Sequence, residues 1–312
     1  MVVAIDIGGT FIKIGIVDGG RIVEETSIRA HAETRIEYSL AEAEKSINFL
    51  LKKLSISKDH IIGIGIGFPG LVDSSIMKVL STNKKYNDAV DFNFLNWGKE
   101  AYNAPVFLEN DARVALLGEW QYGAGKGVDN IVMLTLGTGV GSAVIINGKL
   151  LVGTHFQAGN LGGHFIVQVN GSTCTCGNLG CVEAEASTWR LTDMLKSDLR
   201  YSGSMIEGKE LDFKSVFKIA DEGGELSMDV RDRCLEVWAA GVINMVHAFD
   251  PEMVILGGGI MNSADVILPF IRDKVNNHAW TPWGNVKIIQ SEIPNRSALL
   301  GAYYLVINKL KT

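Results

Sequence analysis

Three of the chain's four cysteines lie within eight consecutive positions, in the segment CTCGNLGC. Cys174 and Cys176 are too close in sequence to form an unstrained disulfide bond. Thiolates at such short spacing, with a histidine nearby, suit tetrahedral Zn²⁺, and a Cys₃His set leaves no position for water. The four candidate ligands are His164, Cys174, Cys176 and Cys181. The cluster therefore predicts a structural zinc ion, and free thiols, one of them redox-active, are the alternative.

A carboxylate suited to base catalysis lies in the segment FLENDARVA, where Asp111 follows a short apolar run and precedes a helical pattern. A carboxylate at such a strand–helix junction is well placed to accept a proton from a bound hydroxyl. Taken alone, the segment is more often a helix N-cap or a turn. A second carboxylate, Asp6, lies just before the glycines of the segment DIGGT and could hold Mg²⁺ through water.

Two glycine turns each separate a pair of segments rich in valine and isoleucine, which predicts two β-hairpins. The turns are Gly8–Thr10 and Gly137–Gly139, and an offset of 129 residues superimposes their hairpins, which indicates an internal duplication. Neither turn has the spacing of a P-loop or of a dinucleotide-binding fingerprint. A single glycine turn most often only reverses the chain, but two matched turns that face one cleft could hold the phosphates of a nucleotide.

Strand and helix patterns alternate around these hairpins, which predicts an α/β fold. Each half carries a later strand that ends in glycine, HIIGIGIGFPG at 60–70 and PEMVILGGG at 251–259. A more apolar helical pattern that contains Cys234 precedes the second of these strands, so this cysteine is expected in the core. The segment SLAEAEKSINFLLKKL places five aliphatic residues on one helical face: Leu40, Ile47, Leu50, Leu51 and Leu54.

The composition is that of a globular protein, since 47% of the residues are hydrophobic and 21% are charged. The net charge of −6 argues against a nucleic-acid partner, and no apolar run approaches a membrane span. The N-terminal segment MVVAIDIGG lacks the basic start and long apolar core of a signal peptide, which predicts a cytoplasmic protein. We expect two α/β domains at 1–120 and 121–297, with a C-terminal helix at about 298–312 that rejoins the first.

The segments DIGGT, ENDA at 109–112, LGTGVG at 136–141 and CTCGNLGCVE together resemble the ROK family, which groups repressors, open reading frames and sugar kinases. The resemblance extends from Asp6 to the late segment SALLGAYYL, and the cysteine signature is its most specific element. It implies the duplicated ribonuclease-H-like fold of actin, Hsp70 chaperones and hexokinase, with two domains around a cleft. It also implies a glucokinase-like, ATP-dependent sugar kinase that forms a homodimer or homotetramer.

The resemblance implies a role for each residue that matches a family motif. Asp111 matches the catalytic base, and His164 is expected to contact the sugar as well as the zinc ion. Asn110 and Glu183 match sugar ligands, although Glu183 by itself could be an ordinary acidic residue at a helix N-terminus. ATP and its Mg²⁺ are expected at Asp6, Gly8, Gly9, Thr10, Lys13, Gly137, Thr138, Gly139, Gly257, Gly258 and Gly259.

One position departs from the family's pattern. The family's kinases commonly have glutamate three residues before the zinc histidine, where it contacts hydroxyls near the anomeric carbon of the sugar. Here Leu161 occupies that position, and leucine cannot accept those hydrogen bonds. Either the neighbouring Asn160 makes the sugar contact, or the substrate differs around that carbon, or the kinase activity is weak or absent.

The hypothesis that these features favour is an ATP-dependent kinase that phosphorylates a hydroxyl, expected to be the 6-hydroxyl, of a hexose or an N-acyl-hexosamine. A catalytically weak or inactive sugar-binding regulator is the alternative. A DNA-binding repressor is disfavoured, because the first strand begins at Val2 and leaves no room for an N-terminal helix-turn-helix module. A scaffold protein on the same fold is disfavoured by the intact ligand loops.

Overall fold

The computed structural model describes residues 1–82 and 85–311. The strands are β1 (Val2–Ile7), β2 (Phe11–Asp18), β3 (Arg21–Arg29), β4 (Gly63–Phe68), β5 (Leu71–Asp73), β6 (Lys78–Ser81), β7 (Val106–Asn110), β8 (Ile131–Leu136), β9 (Val140–Ile146), β10 (Lys149–Leu150), β11 (Met253–Gly257) and β12 (Lys287–Gln290). The α-helices are α1 (Ile36–Lys53), α2 (Phe94–Tyr102), α3 (Asp111–Tyr122), α4 (Val182–Ala186), α5 (Thr188–Lys196), α6 (Phe213–Asp221), α7 (Glu225–Phe249), α8 (Ala264–His278) and α9 (Ser297–Lys311).

By their internal contacts, the residues form two compact units. The first unit comprises Met1–Gly127, Val152–Ala158 and the chain from Glu292 onward. The second unit comprises Val128–Leu151 and Gly159–Ser291. Helix α9 therefore belongs to the first unit, although it follows the last strand of the second.

The first unit contains a five-stranded sheet in the order β3-β2-β1-β4-β7. The pairs β1–β2 and β2–β3 are antiparallel, whereas β1, β4 and β7 run parallel. Asp6 on β1 lies opposite Gly67 on β4, and Gly67 lies opposite Glu109 on β7. Because parallel strands end at the same edge of a sheet, Asp6 lies at the edge where β7 leads into α3.

The second unit contains a five-stranded sheet of the same order, β10-β9-β8-β11-β12. The hairpin β8–β9 is antiparallel, and β8, β11 and β12 run parallel. The 129-residue offset places β1 on β8 and the start of β2 on the start of β9. The predicted hairpins and the predicted internal duplication of an α/β fold are therefore confirmed.

Helix α1 has the amphipathic pattern that the sequence predicts. Four of the five aliphatic residues on its predicted face are buried in the core of the first unit: Leu40, Ile47, Leu50 and Leu51. Leu54 lies one residue beyond the end of the helix and is partly exposed. At the other end, the Ile36 N–H donates to the Asp88 carboxylate at 3.0 Å, which satisfies a donor that has no partner within the helix.

Helices α3 and α9 pack closely because each has a glycine at the contact. A Cβ at Gly118 would overlap the Ser297 carbonyl oxygen, and a Cβ at Gly301 would overlap the Val114 carbonyl oxygen. Only glycine allows backbones to approach so closely. This contact explains the glycine in the segment SALLGAYYL and places α9 directly behind the helix that begins at Asp111.

Helix α7 crosses the core of the second unit. Trp238 is fully buried, and its indole N–H donates to the Ala186 carbonyl oxygen at 2.8 Å. Cys234 is also fully buried in this core, as its apolar surroundings in the sequence predict. Among the helices of residues 1–82 and 85–311, none has the length and apolarity needed to cross a membrane.

Candidate active site and metal centre

Asp111 is the first residue of α3 and follows β7 directly. Its Oδ1 accepts hydrogen bonds from the Asn110 side-chain amide and from the Ala112 N–H, each at 2.8 Å. Asn110 also caps the helix, because its Oδ1 accepts the Arg113 N–H at 3.1 Å and its amide donates to the Gly70 carbonyl oxygen at 3.0 Å. The predicted N-cap and the predicted base are thus adjacent residues that hold each other in place.

Two carboxylates with raised pKa values lie at this edge of the first sheet. Burial raises the pKa of Asp111, while the Ala112 N–H and the Lys85 ammonium oppose this rise. Burial likewise raises the pKa of Asp6 to about 6; nearby Lys13 lowers it and Asp111 adds to the rise. A carboxylate whose pKa lies nearer to neutral pH is a stronger proton acceptor, which is what a general base requires.

Glu109 and Arg113 support Asp111 from behind. Arg113 is 0% exposed and Glu109 is 2% exposed, and their ion pair has an N–O distance of 3.2 Å. The Glu109 carboxylate also accepts the Asn110 N–H at 2.8 Å, and Arg113 donates to the carbonyl oxygens of Val152 and Ala158. Breaking such a buried pair would leave an uncompensated charge, so the pair is expected to stay intact.

The first glycine loop (Gly8–Thr10) is held by its own unit. The Gly8 N–H donates to the Phe11 carbonyl oxygen at 3.0 Å, and the Tyr86 hydroxyl donates to the Gly8 carbonyl oxygen at 3.1 Å. Lys85 lies against the loop, since a Cβ at Gly9 would be 3.2 Å from its Nζ. The loop therefore has a lysine beside it that also acts on Asp111 electrostatically.

The second glycine loop (Gly137–Gly139) is held by α5, the second helix after the cysteines. The N–H groups of Thr188 and Trp189, at the start of α5, donate to the carbonyl oxygens of Gly137 and Thr138 at 3.1 and 3.2 Å. Both loop carbonyls therefore point towards α5.

The glycines after β11 pack against the end of β8, which leads into the second glycine loop. Gly258 has a φ of 91°, and a Cβ there would overlap the Leu136 carbonyl oxygen. Gly257, the last residue of β11, lies opposite Thr135, whereas Gly259 has no atom within 4 Å of the position that a Cβ would take. Of these three glycines, Gly258 is the one that both the backbone angle and the close approach require.

The four candidate metal ligands converge in the second unit. Cys174 Sγ lies 3.4 Å from His164 Nδ1, Cys176 Sγ lies 3.8 Å from Cys181 Sγ, and the four ligand atoms lie within 4.8 Å of one another. A tetrahedral zinc ion with bonds of about 2.0–2.3 Å needs ligand atoms about 3.5–3.8 Å apart. The cluster therefore fits a closed Cys₃His zinc site.

Burial raises the pKa of the Cys174 thiol and of the Cys181 thiol, and their sulfur neighbours add to the rise at Cys181. Three sulfurs held this close without a cation favour protonated thiols. A divalent cation reverses that preference, because it binds the thiolate form. The donor set is thus chemically suited to zinc.

The cysteine loop (residues 165–181) owes its shape to its glycines. Gly177 and Gly180 have φ values of 90° and 69°, and a Cβ at Gly180 would overlap the Gln168 carbonyl oxygen. The Gly177 N–H donates to the Cys174 carbonyl oxygen at 3.0 Å. The two glycines between the second and third cysteines are therefore what turns the chain back so that Cys181 rejoins the others.

Glu183 connects the cysteine loop with the second glycine loop. It is 8% exposed, and its Oε2 accepts the Val140 N–H at 2.9 Å while its Oε1 accepts the Thr175 hydroxyl at 3.2 Å. A Cβ at Gly139 would overlap Glu183 Oε2. The predicted sugar ligand thus makes two protein hydrogen bonds of its own.

The segment that departs from the family's pattern is fixed by Ser142. The Ser142 hydroxyl donates to the Gly159 carbonyl oxygen at 2.9 Å and accepts the Gly162 N–H at 2.7 Å. Between these anchors, Asn160 is 8% exposed and Leu161 is partly exposed. Asn160 is the buried polar residue of the pair, and its role as a substitute for glutamate stays a prediction.

Within each unit, the structure brings many of the predicted residues together. In the first unit, Asp6, Lys13, Asn110 and Asp111 share one edge of the sheet with the first glycine loop. In the second, Glu183 joins the second glycine loop to the cysteine cluster, and Gly258 packs on the strand before that loop.

Sequence reasoning missed Lys85, Arg113 and Thr175. Lys85 lies in a lysine-rich, irregular segment, and Arg113 resembles an ordinary exposed helix residue, so their sequence neighbourhoods gave no signal.

Comparisons with known proteins identify the family of the chain. The model of the ROK family matches residues 2–309. A glucokinase of Thermotoga maritima is 31% identical over 99% of this chain and 98% of its own length. A xylose repressor of Bacillus subtilis is 30% identical over 84% of this chain and 65% of its own length.

A solved structure, the ROK family glucokinase from Streptomyces griseus in complex with glucose and AMPPNP, has a TM-score of 0.79 at 25% identity, over 98% of this chain and 99% of that one. The relatives thus include both kinases and repressors, and the fold of the solved glucokinase extends along nearly the whole chain. The family motifs, the duplicated sheets and these matches together show that the chain belongs to the ROK family and has its actin/hexokinase-like fold.

Proposed function

We propose that the protein is an ATP-dependent sugar kinase that transfers the γ-phosphoryl group to a hydroxyl, the 6-hydroxyl, of a hexose or an N-acyl-hexosamine. The observation that carries this proposal is Asp111, a carboxylate with a raised pKa at the N-terminus of α3, oriented by Asn110 and Ala112. A glucokinase is 31% identical to the chain, and a ROK glucokinase of the same fold was solved with glucose and AMPPNP.

In this proposal Asp111 removes the proton of the sugar hydroxyl. The hydroxyl oxygen forms a bond to the γ-phosphorus as the bond between that phosphorus and ADP breaks. The two glycine loops and the Gly257–Gly259 segment bind the nucleotide, with backbone N–H groups directed at phosphate oxygens. Lys13 and Lys85 add positive charge beside Asp6 and Asp111. Asp6 would hold Mg²⁺ through water, and bound Mg²⁺ would neutralise charge on the phosphates.

The second unit contributes the proposed metal centre and further sugar ligands. His164, Cys174, Cys176 and Cys181 would hold a structural zinc ion, and the convergence of their ligand atoms within 4.8 Å of one another supports this role. We assign sugar contacts to Asn110, Asp111, His164 and Glu183 because these residues match the family motifs. We add Asn160 as the substitute for the glutamate that Leu161 replaces. We also propose that the protein acts as a homodimer or homotetramer.

A sugar-binding regulator without turnover is the second candidate. The observation in its favour is the pair Asn160 and Leu161, neither of which supplies the carboxylate that the family's kinases carry in this segment. The buried Asn160 can still accept a hydrogen bond from a sugar hydroxyl, so the kinase remains the function that the site supports best.

The experiment that separates the two functions is an ADP-release assay with Mg-ATP across a panel of hexoses and N-acyl-hexosamines, run beside thermal unfolding with the same sugars. Sugar-dependent ADP release is expected for at least one of them. Thermal stabilisation by a sugar without ADP release would support the regulator instead. In that case the variants Asn160→Glu and Leu161→Glu would test whether the missing carboxylate is the cause.

A further inference from the structure

We propose that Thr175 is a positioning residue that couples the cysteine loop to the second glycine loop through Glu183, so that the metal centre sets the geometry of phosphate-binding amides. The structural part of this inference stands on contacts within the second unit. Its nucleotide part rests on the proposed function.

The first step of the coupling is the placement of Thr175. It lies between Cys174 and Cys176, two of the four candidate ligands, so metal bonds on both sides would fix its backbone. Its hydroxyl is then presented to Glu183 Oε1 at 3.2 Å. Without metal bonds, the loop would hold this hydroxyl less firmly against Glu183.

The second step is the contact of Glu183 with the second glycine loop. Glu183 is buried, and its other oxygen accepts the Val140 N–H, which directly follows the loop. The same oxygen lies against Gly139, where no side chain fits. A shift of the Glu183 carboxylate would therefore move Val140 or press on Gly139, because closely packed groups transmit displacement.

The third step is the direction of the loop's amides. The carbonyl groups of Gly137 and Thr138 accept hydrogen bonds from the first N–H groups of α5. In a planar trans peptide unit the N–H points opposite to the C=O, so the Thr138 and Gly139 N–H groups point away from α5. This is the arrangement in which successive N–H groups can bind the oxygens of one phosphate.

Both supports of the second glycine loop, Glu183 and the start of α5, lie on the segment that follows the proposed metal centre. Cys181 is the residue before α4, α4 carries Glu183, and α5 begins two residues after α4 ends. Both supports thus lie in the short segment that follows the candidate ligand Cys181. Loss of zinc is expected to weaken nucleotide binding as well as the sugar site.

The test compares Thr175→Val, which removes the hydroxyl at nearly constant volume, with Thr175→Ser, which restores it. Thr173→Val is the matched control, because Thr173 lies in the same loop but is exposed. All three should retain about one zinc per chain, as the four ligands are unchanged. The readouts are zinc content, hydrogen exchange at the Val140 amide, and the Kd of Mg-AMPPNP by calorimetry.

In Thr175→Val we expect exchange at Val140 to become about 10-fold faster and the Kd of Mg-AMPPNP to rise about 3- to 10-fold, as suits the loss of the hydrogen bond to Glu183. Thr175→Ser and Thr173→Val should stay within about 2-fold of the unaltered protein. Unchanged Val140 exchange in a zinc-loaded Thr175→Val protein would overturn the coupling.

The two parts of the inference fail in different ways. If the unaltered protein binds no Mg-AMPPNP, the proposed kinase function fails, and Val140 exchange still decides the coupling. If the unaltered protein binds Mg-AMPPNP and Thr175→Val binds it equally well, the link from the metal centre to the nucleotide is wrong.

Discussion

The two glycine loops occupy equivalent positions in two sheets of the same strand order, but they are supported by different chemistry. The first lies after a strand that carries Asp6, and Tyr86 and Lys85 lie against it. The second lies after a strand with Thr135 at the equivalent position, and it is held by Glu183 and the start of α5. The backbone of the loops differs as well, because the Gly8 N–H donates to the Phe11 carbonyl oxygen whereas the Gly137 N–H donates to the Gly139 carbonyl oxygen. Duplication thus preserved the strand order of the sheets, while the loops and the side chains around them diverged.

This difference divides the tasks between the units. The first loop lies beside the two carboxylates with raised pKa values, where a proton acceptor and a Mg²⁺ ligand are proposed. The second loop lies beside the cysteine cluster, which offers structural support. The ends of the neighbouring strands differ in the same way. Phe68 ends β4 as a buried core residue, whereas Gly258 takes the equivalent position after β11 and lets the Leu136 carbonyl approach.

Removal of the proposed zinc ion should have the largest effect, and it should distinguish the two loops. A chelator that strips the metal is expected to lower the thermal unfolding midpoint by about 10 °C, because a tightly bound ligand stabilises only the folded state. Hydrogen exchange should accelerate in the cysteine loop and at residues 137–140. The amides of residues 8–10 should keep their protection. Equally accelerated hydrogen exchange in both glycine loops would contradict the proposal that only the second loop is supported from the cysteine cluster.

Substitution of Gly258 should have the next largest effect. Gly258→Ala is expected to lower the free energy of unfolding by about 2–4 kcal/mol, because the methyl group overlaps the Leu136 carbonyl and the backbone φ is 91°. The control is Gly259→Ala, where an added Cβ meets no atom within 4 Å and a change below about 1 kcal/mol is expected. Denaturant unfolding of the two variants measures the difference, and equal stabilities would show that the close approach at Gly258 is unimportant.

The smallest of these effects concerns Asp6, which distinguishes the first loop, and the pH dependence of the free energy of unfolding. Burial raises the pKa of Asp6 to about 6 from 3.8, so the folded protein binds this proton more tightly than the unfolded chain does. The resulting stabilisation is complete below pH 3.8 and is lost as the pH rises through 6.

The asparagine side chain of Asp6→Asn cannot ionise. The free energy of unfolding of this variant at pH 7 should therefore be higher than that of the unaltered protein by up to about 3 kcal/mol. This gain in the free energy of unfolding should vanish towards pH 4. Thr135→Ser, at the equivalent position of the second unit, should leave the pH dependence unchanged. Denaturant unfolding at a series of pH values tests this, and an Asp6→Asn protein with the original pH profile would refute the assigned pKa.

The sequence predicted the features that depend on local pattern. Runs of valine and isoleucine around glycine predicted both hairpins, and apolar spacing predicted the buried face of α1. The metal cluster was predictable because three of its four candidate ligands lie within eight residues. Asp111 followed from its place between a strand pattern and a helix pattern, together with the family motif.

The remaining features depend on contacts that local sequence does not encode. Arg113 follows a helix N-terminus, where arginine is usually exposed, yet here it is buried with Glu109 and holds two distant carbonyl groups. Val140 and Glu183 are 43 residues apart and meet only because the second sheet and α4 are packed together. Such pairs are selected by tertiary packing, and a single sequence carries no periodic signal for them.

Asp111 is the proposed general base of a sugar kinase, and the turnover of Asp111→Asn is the sharpest test of that role. Asparagine keeps an oxygen for the hydrogen bonds from Asn110 and Ala112 but cannot accept the proton. We expect kcat for sugar-dependent ADP release to fall by about 10³-fold, with the fold and zinc content retained, while the exposed control Asp91→Asn keeps full activity. Turnover in Asp111→Asn equal to that of the unaltered protein would show that Asp111 is not the base.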